Sequence, residues 1–404
     1  GLAAAASMRG VRAPSELRTL SAAVARACGA NPEAEPAGDV DWDEVLRLAD
    51  RHQVAGLAHR GLQDTAPATV RAALAERAQA VAFGSLHRAA LQRRVTRAVE
   101  AATVPFVVLK GLPLAVDAYG DPVARHARDV DLLVAPQDAR RAVQALQADG
   151  LAWYGWRRPE DADRPDPDAE SLDRLERLPM LRDVTLVDET GVGVELHWRL
   201  FENARLLPVD PRWLDAPRLV EVHGEDVPTP PLAAHLAYVL VHGTKHVWSL
   251  MKWLADVPAL MLRHPELTRR ESLAAASQGN ERAVATGLLV AEATFGRFLP
   301  TEARAWAHAA RGTRVLVRHS LAALAAPHDR PKMVTPRTLS GEVATRLALR
   351  GDVAYRRDEL RLLLLTAGRG RHVEDPGAAE LAAAPLRWAR RATRRRRSTT
   401  PPGP

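Results

Sequence analysis

The stretch Arg125-His-Ala-Arg-Asp129-Val-Asp131-Leu-Leu-Val134 decides how the rest of the chain is read. From Asp129 onward it alternates acidic and apolar residues with the two-residue period of a strand. That period puts Asp129 and Asp131 on one face and Val130 and Leu132 on the other. Two neighbouring carboxylates on a half-buried strand repel each other and hold a proton at neutral pH unless a cation lies between them. A hard divalent ion such as Mg²⁺ takes oxygen ligands of this kind, with phosphates and water completing its shell. A D-x-D tripeptide also occurs by chance on solvated strands, so the flanking sequence has to carry the argument.

Upstream, the apolar run at 104–109 reads as a strand covered on both faces and ends at Lys110-Gly111. Gly111 permits a tight strand-to-helix turn whose N–H groups face a phosphate; a plain turn glycine is the alternative. A helix over 112–120 follows and stops at Asp121-Pro122. Arg125 then falls in a loop, either within reach of triphosphate oxygens or simply on the surface. Downstream, Pro136 starts a helix that runs to about Asp149, with Gly150 as its stop, and a strand follows at 151–154. Residues 157–170, crowded with Arg, Pro, Asp and Glu, read as a mobile loop over the site. Strands at 181–187 and 192–200 flank the hairpin signal Asp188-Glu-Thr-Gly191. The second of these puts Glu195, His197 and Arg199 on one face, and a third carboxylate is what a two-metal site needs. His197 reads as a buttress for Glu195 rather than a substrate ligand.

A second polar constellation follows Pro231. His242, Lys245, His246, Ser249, Lys252, Trp253 and Asp256 are spaced 3, 1, 3, 3, 1 and 3, the spacing of one stripe on a continuous helix. In that reading Lys245 and Lys252 contact phosphates, Trp253 supports the helix against the core and Asp256 orients Lys252. His242 and His246 also have the spacing of a zinc helix. Gly243 stands where a zinc protease carries its general-base Glu, which argues against proteolysis.

Together these motifs resemble the uncharacterised nucleotidyltransferase family of the DNA polymerase β-like superfamily. They comprise Leu109-Lys110-Gly111, Arg125-x-x-x-Asp129-Val-Asp131-Leu-Leu-Val134, Glu195-Leu-His197-Trp198, His242-Gly-x-Lys245-His246 and Leu250-x-Lys252-Trp253-Leu-x-Asp256. The resemblance spans roughly residues 40–300. It implies an α+β fold, a small mixed sheet flanked by helices. It also implies metal-dependent transfer of NMP from an NTP, with Asp129, Asp131 and Glu195 as catalytic and metal-binding residues. Mg²⁺ or Mn²⁺ is the implied metal and ATP the expected NTP. Lys110, Gly111, Arg125, Lys245 and Lys252 are the nucleotide-binding candidates. One departure stands out: Lys110-Gly111-Leu112 occupies the place where the superfamily carries Gly-Ser or Gly-Gly to cradle triphosphate. A catalytically degenerate nucleotide- or partner-binding protein of the same fold is therefore the alternative.

Composition bounds the remaining choices. The 404 residues, 47% of them apolar, suffice for a large core, and no apolar run reaches the length of a membrane span. Lys and Arg total 56 against 49 acids, but seven of the bases lie between Arg387 and Arg397, beyond the last acid at Glu380. The body without them is formally neutral, which argues against a broad nucleic-acid face. The acceptor is accordingly expected to be a small molecule, glycan or peptide, with the arginine tail limited to weak anionic contacts. Only Lys110, Lys245, Lys252 and Lys332 are lysine, and three of the four fall inside the motifs. A compact ammonium suits a phosphate where a planar guanidinium does not fit. The lone Cys28 and the lack of a secretory pattern in the first residues fit a cytoplasmic protein. The expected partition is an extension at 1–13, helices at 14–102, a catalytic core at 103–228, a helical domain at 229–385 and a basic tail at 386–404.

Overall fold

The computed structural model describes residues 13–32, 39–154, 181–326 and 343–366. The loop expected at 157–170 and the basic tail fall outside them. Four helices come first: α1 (Ser15–Ala27), α2 (Trp42–His52), α3 (Ala55–Gly61) and α4 (Ala68–Ala101). Asp41 caps α2 by accepting the Glu44 N–H at 3.1 Å, and Gln53 closes it in the left-handed region. Helix α4 runs unbroken through Gly84.

A mixed sheet follows. Strand β1 (Phe106–Val108) leads through α5 (Leu112–Tyr119) to β2 (Asp129–Val134), then through α6 (Ala139–Ala148) to β3 (Ala152–Tyr154), β4 (Asp183–Val187) and β5 (Gly193–His197). The strand order is β1-β2-β5-β4-β3, with β2 and β5 parallel and the other pairs antiparallel. This is the α+β fold with a small mixed sheet that the sequence led us to expect. The turn α7 (Arg212–Asp215) and the hairpin β6 (Arg218–Val222) and β7 (Glu225–Thr229) lead into the C-terminal helices. These are α8 (Leu232–Lys245), α9 (Met251–Arg263), α10 (Arg270–Ser277), α11 (Glu281–Phe295), α12 (Thr301–Ala309), α13 (Thr313–Leu324) and α14 (Val353–Thr366).

Strand alternation gives the sheet two different faces. Val130, Leu132, Val134, Val194 and Leu196 pack on Leu91, Val95 and Val99 of α4, on α6 and on the β6–β7 hairpin. Val107, Leu109 and Leu133 on the opposite face join the core that α1–α3 share with α8, α9 and α11. Asp129, Asp131 and Glu195 therefore project from the sheet toward the helical half of the molecule. No helix among the described residues is long and apolar enough to cross a membrane.

Candidate active site

Register brings the acids together. In the parallel β2–β5 pair Asp131 lies opposite Glu195, Asp129 opposite Gly193 and Leu133 opposite His197. Ligand-capable atoms of Asp131, Glu195 and His197 all fall within 4.8 Å of one another. Asp129 joins them through Lys110, whose Nζ lies 3.0 Å from Asp131 Oδ1 and 3.9 Å from Asp129 Oδ1.

Asp131 is 0% exposed, so it is not a solvated surface acid. Its Oδ1 takes the Lys110 ammonium and His197 Nε2 at 3.2 Å, while its Oδ2 is buried without a hydrogen-bond partner among the described residues. Asp129 sits at the rim, its pKa raised by burial and by the Asp131 charge against the pull of Lys110 and Lys252. Burial also works to raise the Glu195 carboxyl, but the His197 contact at 3.4 Å and the Lys110 charge bring it below its ordinary value. Burial opposes the charge on His197, yet Asp131, Glu195 and Asp183 together push its pKa up to about 9. At neutral pH it is an imidazolium that ties the acids of β2, β4 and β5 to one another, the buttress expected from the sequence.

Gly111 turns the chain between β1 and α5 with φ 81°, a conformation that a side chain would strain. A Cβ there would meet the Asp129 carbonyl, so the turn abuts the acid strand.

The stripe expected over 242–256 is not one helix. The chain leaves α8 at Lys245 and restarts as α9 at Met251, with Val247 and Trp248 both at φ 49° between them. Trp248 turns inward, is fully buried and donates its Nε1–H to Thr244 Oγ1 at 3.1 Å. Its ring fills the space that Gly243 and Gly287 leave open, and a Cβ at Gly243 would lie 2.3 Å from it.

That break sends the candidate cations to different partners. Lys245 pairs with Glu202 and lies over the Phe201 ring at 5.2 Å. Arg125, read from sequence as a triphosphate ligand, is buried, with Nε 2.9 Å from both oxygens of Asp256, which also accepts from Tyr119 at 3.0 Å. Asp256 thus holds Arg125 rather than orienting Lys252. Trp253 packs against the core from a half-buried position, as expected.

Lys252 is the exception among these cations. It is 9% exposed, and its one hydrogen bond goes to the His126 carbonyl at 3.5 Å. Burial, Arg125 and Lys110 lower its pKa to about 7, and among the described residues no acid pairs with it. Arg88 of α4, to which no sequence signal pointed, stands on the same side. Its Nε is buried without a partner, and Asp129 is the acid whose charge it feels. Arg182, just before β4, was also missed; it reaches Asp183 at 2.9 Å and Glu202 at 3.7 Å. A groove of about 160 Å³ between α4 and the β6–β7 hairpin lies apart from this site.

A mixed sheet with converging acids on parallel strands and a helical wall opposite is the arrangement of a nucleotidyltransferase. The chain belongs to the uncharacterised nucleotidyltransferase family, whose profile matches residues 38–296. No curated protein and no solved structure matches it significantly.

Proposed function

We propose that this protein moves an NMP from an NTP, with ATP the expected donor, to an acceptor hydroxyl and releases pyrophosphate, in a reaction that depends on Mg²⁺ or Mn²⁺. The observation that carries this reading is Asp131, fully buried, with one oxygen shared by two cations and the other without a partner. A buried bare carboxylate oxygen is costly, and an oxygen-seeking divalent ion satisfies it. The residues present fit such an ion: Asp131 and Glu195 would hold it, with Asp129 beside them. When bound it would stabilise charge on the attacking and leaving oxygens.

The chain's own groups divide the remaining work. Glu195, kept ionised by His197, takes the proton from the acceptor hydroxyl. The acceptor oxygen bonds to the α-phosphorus as the bond from that phosphorus to the bridging oxygen breaks, and pyrophosphate leaves with the electron pair. Lys110, the Gly111 turn and Lys252 face the polyphosphate, with Arg88 beside them. Lys252 is nearly buried, has no acid beside it among the described residues and has its pKa lowered to about 7, so a polyanionic substrate would favour its ammonium form. Arg125, held by the buried Asp256, and Lys245, held by the half-buried Glu202, anchor α9 and α8 instead.

The test is incubation with labelled NTPs, Mg²⁺ and an acceptor panel, scored for pyrophosphate and a labelled adduct. Asp131→Asn should abolish both, and wild-type turnover in that variant would overturn the assignment. Nucleotide binding without any transfer would favour a degenerate binding protein, a reading supported by Lys110-Gly111-Leu112 in place of the usual glycine cradle.

A further inference from the structure

Charge is segregated across this site. Beside Asp129 stand Lys252 and Arg88, basic groups with no ion-pair acid of their own among the described residues. On the Glu195 side Lys245 is matched by Glu202, Arg182 by Asp183 and Lys110 by Asp131. From Phe201, which Lys245 covers, a wall of rings runs on through Tyr238. His242 and His246 lie 4.7 Å apart by centroid, Trp253 meets His242 edge-on at 5.3 Å and His246 at 5.7 Å, and Tyr238 stands 5.5 Å from His242.

We propose that this ring wall is the acceptor subsite and that it takes an uncharged, hydroxyl-bearing ring, that is, a sugar or its glycoside rather than a phosphorylated or polynucleotide acceptor. The inference rests on the transferase reading for the direction of transfer, but not for the binding itself.

Three observations support it. First, the wall adjoins the acids. The Lys110 ammonium that pairs with Asp131 is close enough for its charge to act on Tyr238, His242 and His246. Second, the wall is neutral. Burial first, then His246 and Lys110, hold His242 well below its ordinary pKa, so at neutral pH each such imidazole offers one donor and one acceptor and no charge. With the adjacent cations already paired, an anionic acceptor would gain nothing to offset its desolvation. Third, apolar ring faces alternate here with polar ring atoms, and the buried His242 Nδ1 has no hydrogen-bond partner. Aromatic faces broken by a few fixed polar atoms suit a ligand that alternates C–H faces with hydroxyls.

The experiment is saturation-transfer NMR on the full chain with neutral methyl glycosides and disaccharides, each matched to its phosphorylated counterpart. Affinity for a non-hydrolysable NTP is measured in parallel. At least one neutral glycoside should bind more tightly than its phosphorylated partner. His246→Ala, at an exposed position where folding is not at risk, should weaken that binding on the order of tenfold, the scale of a lost ring anchor. His246→Phe should restore most of it, and NTP affinity should not change in either variant. The proposal is overturned if no neutral glycoside binds, if the phosphorylated members bind as well, or if His246→Ala binds like the parent. Glycoside binding without nucleotidyl transfer would sink the transferase reading and leave this one standing. Transfer to phosphorylated acceptors that is indifferent to His246 would do the reverse.

Discussion

Lys110 and a divalent ion should compete for the same oxygens, and Lys110→Met exposes that competition. Its Nζ lies 3.0 Å from Asp131 and 3.9 Å from Asp129. At an effective dielectric constant of about 20 these contacts correspond to roughly 5 and 4 kcal/mol of attraction. Desolvation of the ammonium and of Asp131 offsets most of this. The useful figure is the cost of removing one partner of a buried pair, about 3–5 kcal/mol. The lower end applies, because the Lys110 side chain keeps 22% exposure. In chelator, then, Lys110→Met should lose about 3 kcal/mol of stability, a fall of roughly 3–4 °C in Tm for a chain of this size. Addition of millimolar Mg²⁺ should narrow the gap, because the vacated carboxylates bind the ion more tightly. A tenfold gain in affinity returns about 1.4 kcal/mol at saturating metal. Scanning calorimetry of both proteins, with chelator and with Mg²⁺, reads the effect directly. If Mg²⁺ stabilises the variant no more than the parent, Lys110 and the metal do not share ligands and the proposed site is misassigned.

Three further outcomes follow from the same geometry. His52 is buried, accepts the Met251 N–H at 3.3 Å, and has its pKa lowered to about 3 by burial and by Arg51 and Arg47. The unfolded chain therefore takes up this proton first. The stability His52 confers is complete above pH 6.5 and is lost as pH falls from there toward 3. His52→Gln should flatten that slope by up to ~1.4 kcal/mol per pH unit in denaturant titrations between these limits. Arg125→Met should cost about 3–5 kcal/mol by stranding Asp256, yet raise the KM for NTP less than Lys252→Met does. An equal or larger KM effect would return Arg125 to the substrate site. Gly243→Ala should cost about 1–3 kcal/mol by forcing Trp248 out of its slot, measured as a lower Tm; a neutral result would mean that the α8–α9 break does not depend on that ring.

What could be read in the chain beforehand tracks the range of the interaction involved. The faces of β2 and β5 follow from alternation alone, and a one-residue slip would have sent Glu195 into the apolar core, so the burial pattern fixed its place opposite Asp131. The break between α8 and α9 left no such trace. The spacing of His242, Lys245, His246 and Lys252 is the same in a continuous helix. What ends α8 is a Trp248 ring that finds room beside Gly243 and, from another helix, Gly287. Arg125 and Asp256 meet across 131 positions of sequence, and Arg88 lies in a 34-residue helix whose pattern gives no hint of the acid near its side chain. The scarcity of lysine was informative, though not in the way the motifs suggested. Lys110, Lys245 and Lys252 do all sit in tight surroundings, but Lys110 and Lys245 are matched by acids of the chain itself. Lys252, alone of the three in lacking such an acid among the described residues, is the one we propose for the charge of the substrate.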